Sequence, residues 1–283
     1  MCQQPSEKQI NDLVKAGLEE DIGSGDITTR SIVSANQIYR AEICARQNMV
    51  LCGLEFFKAV FFYLDPEVRF SDENFADGDV ISNETSIIKM KGRGVALLEG
   101  ERLALNILQR LCGIASLTRE YVEHARPVEI WDTRKTTPGL RVFEKYAVQC
   151  GGGKNHRFGL YDAVLIKDNH IKAAGGIFQA VKKVREHLGH QAKVEVETTN
   201  LEEVKSALEA KSDTIMLDNM TLDNIHEAVS FINGRARVEV SGTVTLDRLD
   251  SLASTGIDYV SVGALTHSPK AADISMNFTE IPS

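Results

Sequence analysis

The sequence predicts an α/β protein in which an α+β amino-terminal domain precedes a barrel of parallel strands covered by helices. Three observations carry that prediction. Six short apolar runs recur from Val128 onward, each ending in a polar residue or glycine: Val128–Asp132, Ala163–Lys167, Lys193–Glu197, Thr214–Asp218, Arg237–Ser241 and Tyr259–Gly263. Their starts lie 35, 30, 21, 23 and 22 residues apart, and amphipathic stretches such as Ile177–Leu188 and Leu201–Ala210 fill the gaps, the pattern of parallel strands alternating with helices. No GxGxxG follows any run. Gly151-Gly152-Gly153-Lys154 is not a P-loop, because Asn155 follows the lysine and Val148 stands where the first glycine is needed. A barrel is therefore favoured over an open nucleotide-binding sheet.

Taken in chain order, Glu20-Asp21-Ile22-Gly23-Ser24-Gly25-Asp26-Ile27-Thr28 reads as a loop with Asp/Thr turns or a helix cap. Ile38–Arg46 and Ser86–Lys91 alternate as strands, Phe56–Leu64 is a buried helix with its aromatic residues inward, and Asp77-Gly78-Asp79 is a turn. Leu97–Leu117 is a long helix, with Ala104, Leu105, Leu108, Leu111, Cys112 and Ala115 at helical spacing. Its polar stripe of Arg102, Asn106 and Gln109 is either a solvated face or one that points Arg102 into a site or across a subunit contact. Asn200 followed by Glu203 starts a helix in the manner of a capping box. The domain division expected from this texture is 1–115 for the α+β sandwich, 116–270 for the barrel, and 271–283 for a segment returning toward the first domain.

Composition narrows the function classes. At 283 residues and net charge −8 the chain lacks the basic face that phosphate-backbone affinity requires, so a nucleic-acid partner is not expected. No stretch approaches the roughly 20 apolar residues that cross a bilayer, so no membrane partner is expected. Met1-Cys2-Gln3-Gln4-Pro5 carries no secretory signal pattern. The five cysteines Cys2, Cys44, Cys52, Cys112 and Cys150 are odd in number, widely spaced and without CxxC, which suits reduced thiols and a cytoplasmic location. Cys44, Cys112 and Cys150 read as core residues. The seven histidines include no HExxH, so a caged transition metal is not indicated.

The chemistry gathers where each run ends, because barrel enzymes carry their reacting groups at the carboxyl ends of strands. A lone strand-end charge is more often a structural ion pair, but here every one of six ends is charged or glycine-bearing. Arg134, Lys135, His156, Arg157 and Lys167 make a cationic wall on an acidic molecule, suited to a small, multiply charged anion. Glu197 and Asp218 face it as carboxylates able to hold ribose hydroxyls or Mg²⁺ bridging a diphosphate. Ser241-Gly242-Thr243 and Gly263-Ala264-Leu265 are small enough for backbone N–H groups to approach a phosphate.

Several blocks are specific in combination: Glu20-Asp21-x-Gly23-x-Gly25-Asp26-x-Thr28, Glu101-Arg102, Asn106–Arg110, Asp132-Thr133-Arg134-Lys135-Thr136-Thr137-Pro138-Gly139-Leu140-Arg141, Gly151–Arg157, Ile166–His170, Glu195-Val196-Glu197, Leu217-Asp218-Asn219 and Glu239–Gly242. In these the chain resembles the quinolinate phosphoribosyltransferase family over nearly its whole length. The resemblance implies an incomplete, seven-stranded α/β barrel behind an open α/β sandwich, one strand more than the six counted above, and at least a homodimer. It implies that Arg102 of a neighbouring subunit joins Arg134, His156, Arg157 and Lys167 around the two carboxylates of quinolinate. Lys135, Glu197, Asp218, Ser241, Gly242, Thr243, Gly263, Ala264 and Leu265 would hold phosphoribosyl pyrophosphate. Mg²⁺ would sit at Glu197 and Asp218, directly or through water. Lys135, Lys167, Glu197 and Asp218 would be the catalytic set. Thr243 and Cys112 depart from the residues usual in the family. The alternatives are a Schiff-base aldolase using Lys167, a related transferase with another acceptor, and a non-enzymatic anion-binding protein.

Overall fold

The computed structural model describes residues 4–280. The readings placed on Met1–Gln3, Cys2 among them, and on 281–283 lie outside the described residues. The chain runs α1 (Glu7–Ile22), α2 (Thr29–Ile32), β1 (Ile38–Ala45), β2 (Met49–Val50), α3 (Leu54–Leu64), β3 (Arg69–Ser71), β4 (Val80–Ile81), β5 (Ser86–Arg93) and α4 (Gly94–Ala125). It continues through β6 (Glu129–Trp131), α5 (Arg141–Cys150), β7 (Val164–Ile166), α6 (Asp168–Ala174), α7 (Ile177–Leu188), β8 (Val194–Thr198), α8 (Leu201–Glu209), β9 (Thr214–Asp218), α9 (Leu222–Ile232), β10 (Arg237–Ser241), α10 (Leu246–Ala253), β11 (Tyr259–Ser261), α11 (Ala264–His267) and β12 (Ile274–Glu280). These elements fall into two compact units. The first holds the chain up to Arg119, Thr137–Gly152 and the segment from Ser268; the second holds Glu120–Thr136 and Gly153–His267.

In the first unit an antiparallel sheet has the order β12-β1-β5-β3, with Ile43 of β1 opposite Met276 of β12 and Ile88 of β5. The predicted aromatic helix is α3, whose Phe56, Phe57, Val60 and Phe61 are buried. Each such side chain contributes about 1.5–3 kcal/mol by leaving water. Glycines let helices approach closely: a Cβ on Gly17 of α1 would strike Leu103 of α4 at 2.5 Å, and one on Gly113 of α4 would lie 2.0 Å from the Lys270 carbonyl oxygen. α4 overruns the predicted Leu97–Leu117 at both ends and stops ahead of Pro127, which disfavours helical backbone in the residue before it. Of its polar stripe, Arg102 and Asn106 are exposed. Gln109 instead donates from Nε2 to the Ile274 carbonyl at 2.9 Å, and its own carbonyl accepts the Ala272 N–H, which seats β12. Of the segment read as a loop or cap, Glu20–Ile22 belong to the end of α1; Asp26 accepts the Thr28 and Thr29 N–H groups at 2.9 and 3.0 Å and the Thr29 hydroxyl, so the remainder is a turn that starts α2.

The second unit holds six parallel strands in the order β6-β11-β10-β9-β8-β7, matching the six runs read from the sequence. One isolated parallel bridge, Trp131 to Lys154, adds a single residue beyond β6. The strands are not apolar throughout, as the sequence reading had them. They alternate: Val194, Val196, Ile215, Leu217, Val238, Val240, Val260 and Val262 are buried on one face. Ile177, Ala180, Val181, Val204, Ala207, Ile225, Ala228, Leu249 and Leu252 are the buried residues of the intervening helices. The opposite face carries Glu195, Glu197, Asp218, Arg237, Glu239, Tyr259 and Trp131. Asn200 caps α8 as predicted, accepting the Glu203 N–H at 3.0 Å, while the Glu203 carboxylate reaches the Thr199 N–H rather than that of Asn200.

The polar face is concave. His156, two residues past the bridge on the outer side of β6, lies 3.2 Å from Glu195 on β8 and 3.4 Å from Glu239 on β10. In a flat sheet β6 and β8 would stand about 19 Å apart, at roughly 4.8 Å per strand. Only curling of the sheet brings them into contact.

Candidate active site

All six parallel strands present their carboxyl ends to one edge, so the predicted residues after them share that edge. Lys167 follows β7, Glu197 lies on β8, Asp218 ends β9, Ser241 ends β10, Gly263 follows β11, and Arg134 and Lys135 follow β6. The buried Asp132 ties the segments after β6 together, accepting the Asn155 Nδ2 at 2.6 Å and the His156 backbone N–H at 2.8 Å. Lys135 packs along Gly263, where a Cβ would come within 2.8 Å of its Cδ, and the Lys135 carbonyl accepts the Thr266 hydroxyl at 2.8 Å. Gly242 has φ +116°, and a Cβ there would strike Asn219 Oδ1 at 2.3 Å. Only glycine fits at that turn.

The cations are not internally neutralised as a set. Among the described residues, the buried Arg134 Nε has no hydrogen-bond partner. Arg157 is pushed below the usual guanidinium range, first by burial and then by the positive charge of Arg134, and its Nη1 donates to the Ala163 carbonyl at 3.3 Å. Like-charged guanidinium groups at one strand edge, one of them with an unused buried donor, suit an anion. Lys167 donates to Glu197, so two residues that the sequence reading assigned to different substrates are ion-paired with each other. Asp218 accepts from Asn219 Nδ2 at 2.9 Å, and Asn219 Oδ1 accepts the Thr243 N–H at 3.3 Å. Leu265 is fully buried and belongs to the short helix α11, so it offers the edge its backbone and not its side chain. Arg102 lies in the first unit, exposed on α4.

His156 was expected to face a substrate carboxylate. In this structure its Nε2 faces two protein carboxylates, those of Glu195 and the fully buried Glu239. Sequence reasoning missed both acids, although Val194-Glu195-Val196 and Val238-Glu239-Val240 carry the alternation that puts a charge on the inner face. Burial pushes Glu195 up to about 7, reinforced by Glu239 alongside. His156 is raised to about 9: burial opposes the charged ring, and hydrogen bonds and charge from Glu195 and Glu239 outweigh it. Nδ1 accepts the Arg157 backbone N–H at 2.8 Å.

A pH dependence of stability follows. Both groups are raised above their unfolded values, so their contribution is whole below about 6.5 for the imidazole and 4.5 for the carboxyl, and is lost as pH rises through 9 and 7. Urea unfolding is expected to show a loss of about 2 kcal/mol between pH 7 and 9.5, and Glu195→Gln to flatten that slope. An equal slope in the variant would detach the effect from this cluster.

A curled parallel sheet, helices on its outer face and an anion-receiving edge at the strand carboxyl ends define an α/β enzyme of the kind that acts on a small anionic substrate. The comparisons sharpen this class. Residues 26–112 match the model of the quinolinate phosphoribosyl transferase N-terminal domain and residues 114–277 that of its C-terminal domain. The chain belongs to the quinolinate phosphoribosyltransferase family. It is 44% identical to a probable nicotinate-nucleotide pyrophosphorylase [carboxylating] of Bacillus subtilis, over 96% of this chain and 94% of that one. It is 41% identical to the quinolinate phosphoribosyltransferase [decarboxylating] 2b of Nicotiana tabacum, over 94% and 81%. Among solved structures, NadC from Streptococcus pyogenes superposes with TM-score 0.94 at 43% identity, covering 98% of this chain and 99% of that one. The nicotinate-nucleotide pyrophosphorylase of Francisella tularensis does so with TM-score 0.92 at 39%, covering 99% and 100%.

Proposed function

We propose that the chain transfers the phosphoribosyl group of phosphoribosyl pyrophosphate to quinolinate with loss of CO₂, giving nicotinate mononucleotide and pyrophosphate, a step of NAD biosynthesis. Family membership supports the reaction. The observation that carries it at the level of residues is the cationic edge itself, where the buried Arg134 Nε has no hydrogen-bond partner among the described residues and the charge of Arg134 is felt at Arg157. Arg134, Arg157 and Lys167 would hold the two carboxylates, joined by Arg102 of a neighbouring subunit in a homodimer or higher oligomer. His156 would act on Arg157 through its backbone N–H, which Nδ1 accepts. Lys135, Glu197, Asp218 and the backbones of Ser241–Thr243 and Gly263–Leu265 would hold the phosphosugar. The curled sheet, with Lys154 as a one-residue seventh strand, supports reading the second unit as an incomplete barrel. Free thiols at Cys44, Cys52, Cys112 and Cys150 suit a reducing, cytoplasmic compartment.

In this reading the pyridine nitrogen, oriented by the cationic wall, bonds to the anomeric carbon as the bond to pyrophosphate breaks. The positive ring nitrogen so formed accepts the electron pair left when the neighbouring carboxylate departs as CO₂, and a proton then takes its place on that carbon. Mg²⁺ fits the edge only in company with substrate, since Glu197 is ion-paired with Lys167 and Asp218 is bound by Asn219. One or two carboxylates plus phosphate oxygens is the usual surrounding of this ion. When bound it would neutralise charge on the diphosphate. Lys167 Nζ is engaged by Glu197, where a Schiff-base aldolase needs its lysine open to a carbonyl carbon.

Release of labelled CO₂ from carboxyl-labelled quinolinate tests the reading. Release is expected only with phosphoribosyl pyrophosphate and Mg²⁺ both present. No release, or release without the phosphosugar, would count against it.

A further inference from the structure

Away from the strand edge, the first unit gathers three donors that sequence spacing keeps 25 and 73 residues apart. The sulfurs of Cys52 and Cys150 and a carboxylate oxygen of Asp77 all lie within 4.8 Å of one another. Cys52 sits between β2 and α3, Asp77 in a turn ahead of β4, and Cys150 at the end of α5. The expectation that no transition metal is caged rested on histidines without HExxH; the cysteines, without CxxC, were read as reduced thiols, and Cys150 was read as simple core. The fold brings together what the spacing hides.

The surroundings are those of a metal site. Asp77 is held from behind: its Oδ1 accepts the Gly53 and Leu54 N–H groups at 3.0 and 3.2 Å, and its Oδ2 accepts the Tyr146 hydroxyl at 3.0 Å. Such outer hydrogen bonds orient a ligating carboxylate. The N-terminus of the eleven-residue α3 adds positive potential beside a donor set that is negative once its thiols lose their protons. Cys52 is fully buried and Cys150 half-buried. A cavity of about 720 Å³, lined by Gly53, Asp77, Leu111, Phe143 and Tyr146, gives the cluster access to solvent. Cys112 is excluded from the set, since its Sγ is bound to the Cys52 backbone at 3.3 and 3.5 Å.

We propose that Cys52, Asp77 and Cys150 form a binding site for one thiophilic divalent cation of the zinc type, its fourth position filled by water from the adjoining cavity. Sulfur ligands of a tetrahedral zinc ion stand roughly 3.8 Å apart, at about 2.3 Å from the metal, so the three donors need to draw in by about 1 Å at most. Binding displaces the two thiol protons and pins the start of α3, the Asp77 turn and the end of α5 to one another.

The test uses the reduced full chain and metal alone. One equivalent of Co²⁺ is expected to produce thiolate-to-cobalt charge-transfer absorption with tetrahedral d–d bands, and one equivalent of Zn²⁺ to abolish both. The sulfur signature separates this site from the thiol-free cluster of His156, Glu195 and Glu239. Cys150→Ser should weaken Zn²⁺ binding by more than about 100-fold, beyond the loss caused by removing an outer-shell partner. Cys44→Ser, in β1, should leave it unchanged. Should Cys52→Ser fail to fold, protection of Cys150 from alkylation by Zn²⁺ in the unsubstituted protein reports the same contact. Absence of the charge-transfer band, its persistence in Cys150→Ser, or alkylation of Cys150 unaffected by Zn²⁺ would each overturn the proposal.

Discussion

Replacing Arg134 with alanine is expected to lower kcat/KM for quinolinate by about three orders of magnitude, or about 4 kcal/mol. Its guanidinium has a buried Nε with no protein partner and stands close enough to Arg157 to push that residue's proton affinity down. A carboxylate bound there gains two charge-assisted hydrogen bonds, each contributing roughly 1.5–3 kcal/mol. Arg134→Lys should recover only part of the loss, because an ammonium keeps the charge and not the planar fork. Stability should move the other way. Removing one of two adjacent like charges relieves their repulsion, so the melting temperature of Arg134→Ala should equal or exceed that of the unsubstituted protein. Steady-state kinetics with quinolinate varied, beside a thermal melt, measures both. A kcat/KM within about threefold of the parent would remove Arg134 from the acceptor site.

The largest loss of stability is expected from Glu144→Ala, at about 3–5 kcal/mol. Glu144 is wholly buried in α5 of the first unit. Its Oε1 accepts Arg110 Nε at 2.8 Å and Nη2 at 2.5 Å, and its Oε2 accepts the Thr137 N–H at 3.0 Å. Alanine leaves a part-buried guanidinium and a backbone donor without that acceptor, and the desolvation cost of the charge then falls on the folded state. The double variant Arg110→Met/Glu144→Met removes both charges and should be less damaging than Glu144→Ala alone. Urea midpoints of the three proteins decide it. A double variant as unstable as the sum of its parts would mean that packing, and not the uncompensated charge, sets the cost.

The six strands were legible because each run is short, bounded and followed by a helical period, all local properties of the chain. Arg134 and Lys167 were legible for a related reason, since a charge just past an apolar run stands out against its immediate neighbours, and Arg157 because it closes a basic segment after Gly151-Gly152-Gly153. Glu195 and Glu239 were harder to see, being written into strands that looked apolar. Their alternation with valine was visible, but the meeting with His156 depends on how far the sheet curls. Gln109 shows the same limit on a helix. Its place in the polar stripe suggested solvent, and β12, arriving from more than 160 residues away, took it instead.

Along this chain, local order and residue type were enough to determine the six parallel strands, the helices between them and the chemical character of the anion-receiving edge, for helical and strand periods act over a few residues. The tertiary structure alone decided which charges are consumed by one another, as in Lys167 with Glu197, and which stay available, as with Arg134. It also assembled Cys52, Asp77 and Cys150. Pairing energies depend on distances of a few ångströms between residues remote in sequence, and those distances exist only once the sheets have curled and the helices have packed.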